Sequence, residues 1–186
     1  SFKLQSTMKQ KEIILILHNI RSLHNVGSIF RTADGAGITK IYLTGYTPSP
    51  VDIFGNTRSE IKKTALGAEN TVEWQKYTNI SQLIKLFRSG KLQKNPNYRG
   101  STSIVGATLI VGVEQDERAV DYRKFRPDSL TGGAKRPLAL ILGNEVRGLS
   151  KQILNKCDKI IEIPMYGKKE SLNVAVTAGI ILFELI

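Results

Sequence analysis

Apolar positions along this chain fall into short blocks, and the repeat changes from one block to the next. Residues 13–17, IILIL, are an unbroken apolar run flanked by polar residues, the pattern of a strand buried on both faces. Val26, Ile29, Phe30 and Ala33 then recur at i, i+3, i+4 and i+7, which predicts a helix over 26–36 with Asn25 as its cap and Gly35 and Gly37 at its end. Residues 40–44 read as a strand again, so the opening is a β-α-β unit and implies a parallel sheet. The alternation continues with strands expected at 71–74, 108–113, 138–142 and 159–163. Helical turns are expected at 61–66, 80–87 and 150–157. Pro48, Pro50 and Gly55 mark 45–57 as a loop, 90–103 reads as an exposed, mobile, basic connection, and 118–133 reads as irregular. The expectation is a single α/β domain with six strands in a parallel sheet.

The last block behaves differently. Residues 163–173 are polar and turn-rich, and from Val174 to Ile186 apolar residues cover nearly the whole circumference of a helix. Ala175, Ala178 and Gly179 allow another helix to approach closely. A domain of this size buries only part of such a helix against itself, which leaves Leu182, Leu185 and Ile186 to be covered by a second copy of the chain. The pattern therefore predicts a homodimer.

Charge adds a partner. The 186 residues carry a net charge of +11 with a pI near 9.8, and an excess of this size favours a polyanion. Between Arg58 and Ser103 nine Lys and Arg face three acidic residues. Arg58, Lys62, Lys63, Lys168 and Lys169 are the expected RNA contacts, and Tyr46, Phe54, Tyr98 and Tyr166 supply rings for stacking on bases. Any one of these charges also fits an ordinary solvated face. No apolar run reaches the ~18 residues of a membrane span, so no membrane partner is expected. Cys157 is the single cysteine, which removes a disulfide framework or a cysteine metal site and suits a reducing, cytoplasmic setting. His18 and His24 lack the companions of a metal site, so no metal is expected. Residues 1–7 read as an expression remnant ahead of Met8, with 8–186 as one domain.

Three stretches concentrate polar residues where a parallel sheet presents its strand ends. On the first helix Gly27, Ser28, Arg31 and Gly35 share a side, so a bulky anion could reach the Arg31 fork, although a surface ion pair would explain Arg31 equally well. After the strand over 138–142 come Gly143, Asn144 and Glu145, either a ligand-binding turn or a capped strand-to-helix turn. After the last strand come Ile163 and Met165, then Ser171, Leu172 and Asn173 at a helix start, where a capping role is the plain alternative.

Taken in order, NVGSIFRTADGAG, LILGNEVRGLS and IPMYGKKESLNVAVTAGIILFEL resemble the three motifs of the SpoU-type branch of the SPOUT RNA methyltransferases. GYTPSP and KTALGAE look like the family's intermediate segments, and the resemblance runs over 13–186. It implies a parallel-sheet SPOUT fold closed by a C-terminal deep trefoil knot, which general topology rules would have excluded. It also implies S-adenosyl-L-methionine as cofactor, a homodimer, and transfer of a methyl group to a ribose 2′-hydroxyl of tRNA or rRNA. By motif, Arg31, Asn25, Glu145 and Asn173 become the catalytic residues. Leu142, Gly143, Asn144, Ile163, Met165, Ser171, Leu172 and Asn173 become the cofactor residues. Arg31 is read as holding an RNA phosphate and developing oxyanion charge, because a guanidinium with a pKa above about 12 is a poor base; the proton acceptor is left open. Two rivals stand beside this reading: a non-catalytic RNA-binding ribosome-assembly factor on the same fold, and a SPOUT enzyme that methylates a base.

Overall fold

In the computed structural model, which describes residues 12–38, 40–90, 108–127 and 136–186, the strand β1 (Ile13–His18) is buried at every position. Its side chains divide by parity, with Ile13, Leu15 and Leu17 in one apolar cluster and Ile14 and Ile16 in another on the opposite face. β1 is followed by α1 (Leu23–Gly35), β2 (Lys40–Thr44), α2 (Ser59–Ala65), α3 (Ala68–Thr71), β3 (Glu73–Tyr77) and α4 (Ile80–Ser89). Next come β4 (Leu109–Val113), the two-residue β5 (Val120–Asp121) with a 3₁₀ turn behind it, β6 (Leu138–Leu142), α5 (Lys151–Leu154), β7 (Lys159–Glu162) and α6 (Val174–Leu185). All strand pairs are parallel, in the order β3-β2-β1-β6-β4-β7-β5.

The parity of β1 recurs in β6, where Leu138, Leu140 and Leu142 oppose Ala139 and Ile141. One sheet face carries α1, α2 and α6, and the other carries α4 and α5. A sheet covered on both faces explains why the central strands are continuous apolar runs without alternation.

Several expected boundaries move. α1 begins three residues before Val26: Ser22 is its cap, and Asn25 lies inside the first turn. The strand expected at 71–74 starts at Glu73, because Ala68–Thr71 form a helical turn behind Gly67, whose φ of 97° admits little but glycine. There Glu73 pairs with Lys40 across the strands at 2.9 Å. β5 adds a seventh strand where irregular chain was expected. Leu182, expected at the surface, is 0% exposed in the core under α6, and the apolar residues this helix shows to solvent are Val176, Phe183 and Ile186. A helix apolar all round hides from its sequence which side the sheet takes. Residues 1–7, Tyr98 and most of the 90–103 connection lie outside the described residues.

Candidate active site

The carboxyl ends of β1, β4, β6 and β7 meet along one edge of the sheet, and three loops close over them. The loop after β6 is built first. Asn144, buried, receives the backbone N–H groups of Val146 and Arg147 on Oδ1 at 3.0 and 2.8 Å. Its Nδ2 donates to the carbonyl of Asn19 and to the Tyr46 hydroxyl, each at 2.9 Å. The side chain of Asn144 is thereby used in shaping the loop. Gly143 is needed for a reason the sequence did not suggest. A Cβ there would stand 2.6 Å from the carbonyl carbon of Gly148 and 2.8 Å from the nitrogen of Leu149, so the close approach is made by the chain to itself. The far side of the loop is held by Glu114, just beyond β4, which accepts the Leu149 N–H at 2.7 Å.

Glu145 points toward the start of α1. Its carboxylate accepts from the N–H of Arg21 and of Ser22, both at 3.0 Å, and from Asn25 Nδ2 at 3.1 Å. Partial burial pushes this carboxyl upward, but the N–H donors of Arg21, Ser22 and its own residue, with Asn25, outweigh that and hold it below the ordinary value. An anion at a helix start also answers free N–H groups and the helix dipole. Asn25 continues the chain of contacts: its Oδ1 accepts from Asn173 Nδ2 at 3.1 Å. Asn173 caps α6 with its own Oδ1, on the N–H of Ala175 at 2.8 Å. Three residues from three separate motifs therefore stand in one polar row, Glu145–Asn25–Asn173.

Beside this row lies a cleft of about 280 Å³. Leu142, Gly143, Asn144, Ile163, Met165, Ser171 and Leu172 all line it, together with Glu145. Asn173 does not; it faces Asn25. Val113, Glu114, Glu162 and Glu170 also line the cleft and were missed in the sequence, although Val113 and Glu114 sit at the carboxyl end of β4 and Glu162 ends β7, so the strand-end rule points to them.

Arg31 is not in the cleft. It is exposed on α1, and among the described residues it pairs with none. Gly27, expected to make room for a ligand beside it, is buried against α2: a Cβ would lie 2.4 Å from the carbonyl oxygen of Ile61. Gly27 thus serves helix packing. Lys62 and Lys63 are exposed on α2, and Lys168 and Lys169 are exposed on the loop that leads into the cleft. Arg58, which immediately precedes α2, is half-buried. Among the described residues no group of three or more His, Cys, Asp and Glu is placed to hold a metal, and no helix is long and apolar enough to cross a membrane.

The profile of the SpoU rRNA Methylase family matches residues 12–183, a span that contains the whole row and the whole cleft. The chain belongs to the SpoU rRNA Methylase family. Within this family it is 33% identical over 178 residues to the 23S rRNA (guanosine-2′-O-)-methyltransferase RlmB of Haemophilus influenzae, covering 96% of the chain and 61% of that protein. It is 31% identical over 176 residues to the tRNA (guanosine(18)-2′-O)-methyltransferase of Aquifex aeolicus, covering 95% of the chain and 69% of that protein. Among solved structures, the AdoMet-bound rRNA methyltransferase of Sinorhizobium meliloti superposes with a TM-score of 0.74 at 26% identity, over 95% of this chain and 56% of that one. The A. aeolicus TrmH/SpoU tRNA modifying enzyme superposes with a TM-score of 0.70 at 28% identity, over 95% and 74%. The chain spans about three-fifths of the length of the Haemophilus relative.

Proposed function

We propose that this SpoU-family chain is an S-adenosyl-L-methionine-dependent RNA methyltransferase that modifies a ribose 2′-hydroxyl of tRNA or rRNA, acting as a cytoplasmic homodimer. The observation that carries the reading is the polar row Glu145–Asn25–Asn173 set against a cleft at the strand ends. The names of the relatives at 33% and 31% identity, both guanosine 2′-O-methyltransferases, support the same chemistry.

The cleft suits the cofactor. Val113, Leu142, Ile163 and Leu172 offer apolar walls to an adenine, while Glu114, Glu162 and Glu170 bring negative charge toward a sulfonium and an ammonium group. When bound, the cofactor supplies a methyl group already activated on a positively charged sulfur. The chain's own part is to place the acceptor ribose in line and to answer the charge that develops on its oxygen. In this reading Arg31 holds the neighbouring phosphate and that oxyanion, and Asn25, held between Glu145 and Asn173, presents a fixed polar edge beside the cleft. The 2′-hydroxyl gives up its proton to water or a base as the C–O bond forms and the C–S bond breaks, and a guanidinium that keeps its own proton is suited to steadying the negative charge on the oxygen. Arg58, Lys62, Lys63, Lys168 and Lys169 would track the RNA backbone.

The homodimer reading rests on α6. Val176 and Phe183 are 50% and 57% exposed, and the Phe183 ring reaches the Gly35 end of α1. A second copy seated there would border the face of α1 that carries Arg31, and Arg31 would then serve RNA lying at the partner's cleft. We read the C-terminal path as the deep trefoil knot that the family resemblance implies. The test is methyl transfer from labelled S-adenosylmethionine to bulk tRNA and rRNA from cells lacking the gene. Incorporation into RNA is expected, and a protein that binds RNA without transferring label would favour the assembly-factor reading.

A further inference from the structure

A second depression, of about 520 Å³, lies on the other side of the 144–148 loop, lined by Arg21, Tyr46, Asn144, Val146 and Arg147. It shares Asn144, Val146 and Arg147 with the cleft, so the two are neighbours across one loop. One lining residue is a tyrosine fixed at both ends. The Tyr46 hydroxyl accepts from Asn144 Nδ2 at 2.9 Å, and the Tyr46 N–H donates to Asn19 Oδ1 at 3.2 Å. Asn19 adopts a φ of 58°, uncommon for a residue other than glycine, and contacts His18 Nε2 through its Nδ2 at 3.1 Å. The Cβ that any residue but glycine would add at Gly45 falls 1.9 Å from Asn19 Oδ1. Chain and side chains are thus arranged to hold this ring, yet Tyr46 as a residue is 58% exposed. Because its hydroxyl oxygen accepts from Asn144, the hydroxyl hydrogen remains free to donate outward.

Arg21 and Arg147 line the same depression as Tyr46, both exposed, and among the described residues neither guanidinium is paired. The N–H groups of Arg21 and Ser22, just ahead of α1, are occupied by Glu145, so the positive charge here comes from the two side chains. A held aromatic residue sharing one depression with two unpaired guanidinium groups matches one nucleotide of a single-stranded RNA segment, its base stacked and its phosphates paired. We infer that the Tyr46–Arg21–Arg147 depression is a nucleotide subsite that seats the RNA next to the methyl-transfer cleft. The inference rests on the RNA methyltransferase reading. It gives Tyr46 a positioning role, since a base stacked there fixes the strand one loop away from the reacting ribose.

Two variants at Tyr46 isolate the ring. Tyr46→Phe and Tyr46→Leu lose the same bond to Asn144, and only Phe keeps an aromatic face. Anisotropy with a short fluorescein-labelled single-stranded RNA is expected to show the Leu variant binding about tenfold more weakly than the Phe variant, with Phe close to wild type. Arg21→Gln and Arg147→Gln should each lower the slope of log K against log salt by about 0.7. Equal binding by the Phe and Leu variants, or unchanged salt slopes, would overturn the subsite while leaving the methyltransferase reading intact. A wild-type protein that binds neither this RNA nor bulk tRNA and rRNA would overturn both.

Discussion

Asn173, the cap of α6, donates to Asn25 in the first turn of α1 at 3.1 Å, across 148 residues of sequence. Asn25 passes the contact on to Glu145, so one asparagine ties the loops after β6 and β7 to the first helix. Each of the three residues has a structural duty as well as a place beside the cleft, and that double use shapes what its substitution does.

Glu145→Gln should cost about 1–2 kcal/mol at neutral pH, because two backbone N–H groups lose a charged acceptor. The cost should depend on pH. The native carboxyl sits below its ordinary value, so its stabilisation is present above the unfolded value near about pH 4.3 and is lost as pH falls through the native value. Thermal melts of wild type and variant should therefore differ at pH 7 and converge in acid. A gap that stays constant down to the acid limit would contradict the role given to the carboxylate.

Gly143→Ala should destabilise the protein by about 1–3 kcal/mol and also weaken S-adenosylhomocysteine binding in calorimetry. The atoms in the way are backbone and cannot rotate aside, so the 144–148 loop must shift, and the cleft wall moves with it. Unchanged stability with unchanged affinity would mean that the loop absorbs a methyl group freely.

Much of this was legible beforehand, for reasons that can be named. Buried parallel strands are short apolar runs, and β1, β2, β4, β6 and β7 announced themselves in that way. Glu145 was read as a candidate from the strand-end rule, Asn173 from its place at a helix start, and both from motif resemblance. Asn25 was expected as a cap and proved to be a bridge, because Ser22 competes for the capping position and sequence alone does not rank the two. Gly143 and Gly27 were read as openings for a ligand; both are crowded by the protein itself, and a glycine looks the same in sequence whichever body approaches it. Glu114 passed unnoticed because its partner, the N–H of Leu149, lies 35 residues away and carries no side-chain signal.

Arg31→Ala should leave the melting temperature and cofactor affinity near wild type, since Arg31 is exposed, lies outside the cleft and pairs with none of the described residues. Methyl transfer should fall by roughly 10²-fold or more. Lysine should rescue poorly, because a point charge cannot reproduce the planar fork. Loss of cofactor binding with turnover preserved at saturating cofactor would assign Arg31 to the wrong ligand.

If α6 forms the proposed homodimer interface, Phe183→Glu should yield a folded monomer with lowered activity. Leu182→Glu, by contrast, should unfold the chain, because Leu182 is enclosed under α6. Light scattering at micromolar concentration and circular dichroism separate the two. An active wild-type monomer would remove both the α6 interface and a site shared between copies.

The most direct measurement is the position of the methyl group. RNA methylated by the wild-type protein should be digested to nucleosides and resolved by mass spectrometry against the same RNA treated with Arg31→Ala. The expected product is a 2′-O-methylated nucleoside, with the added mass retained on the ribose when the glycosidic bond is fragmented, and with the signal reduced roughly 10²-fold in the variant. A methyl group that travels with the base on fragmentation, or equal labelling by wild type and variant, would contradict ribose 2′-O-methylation by this site.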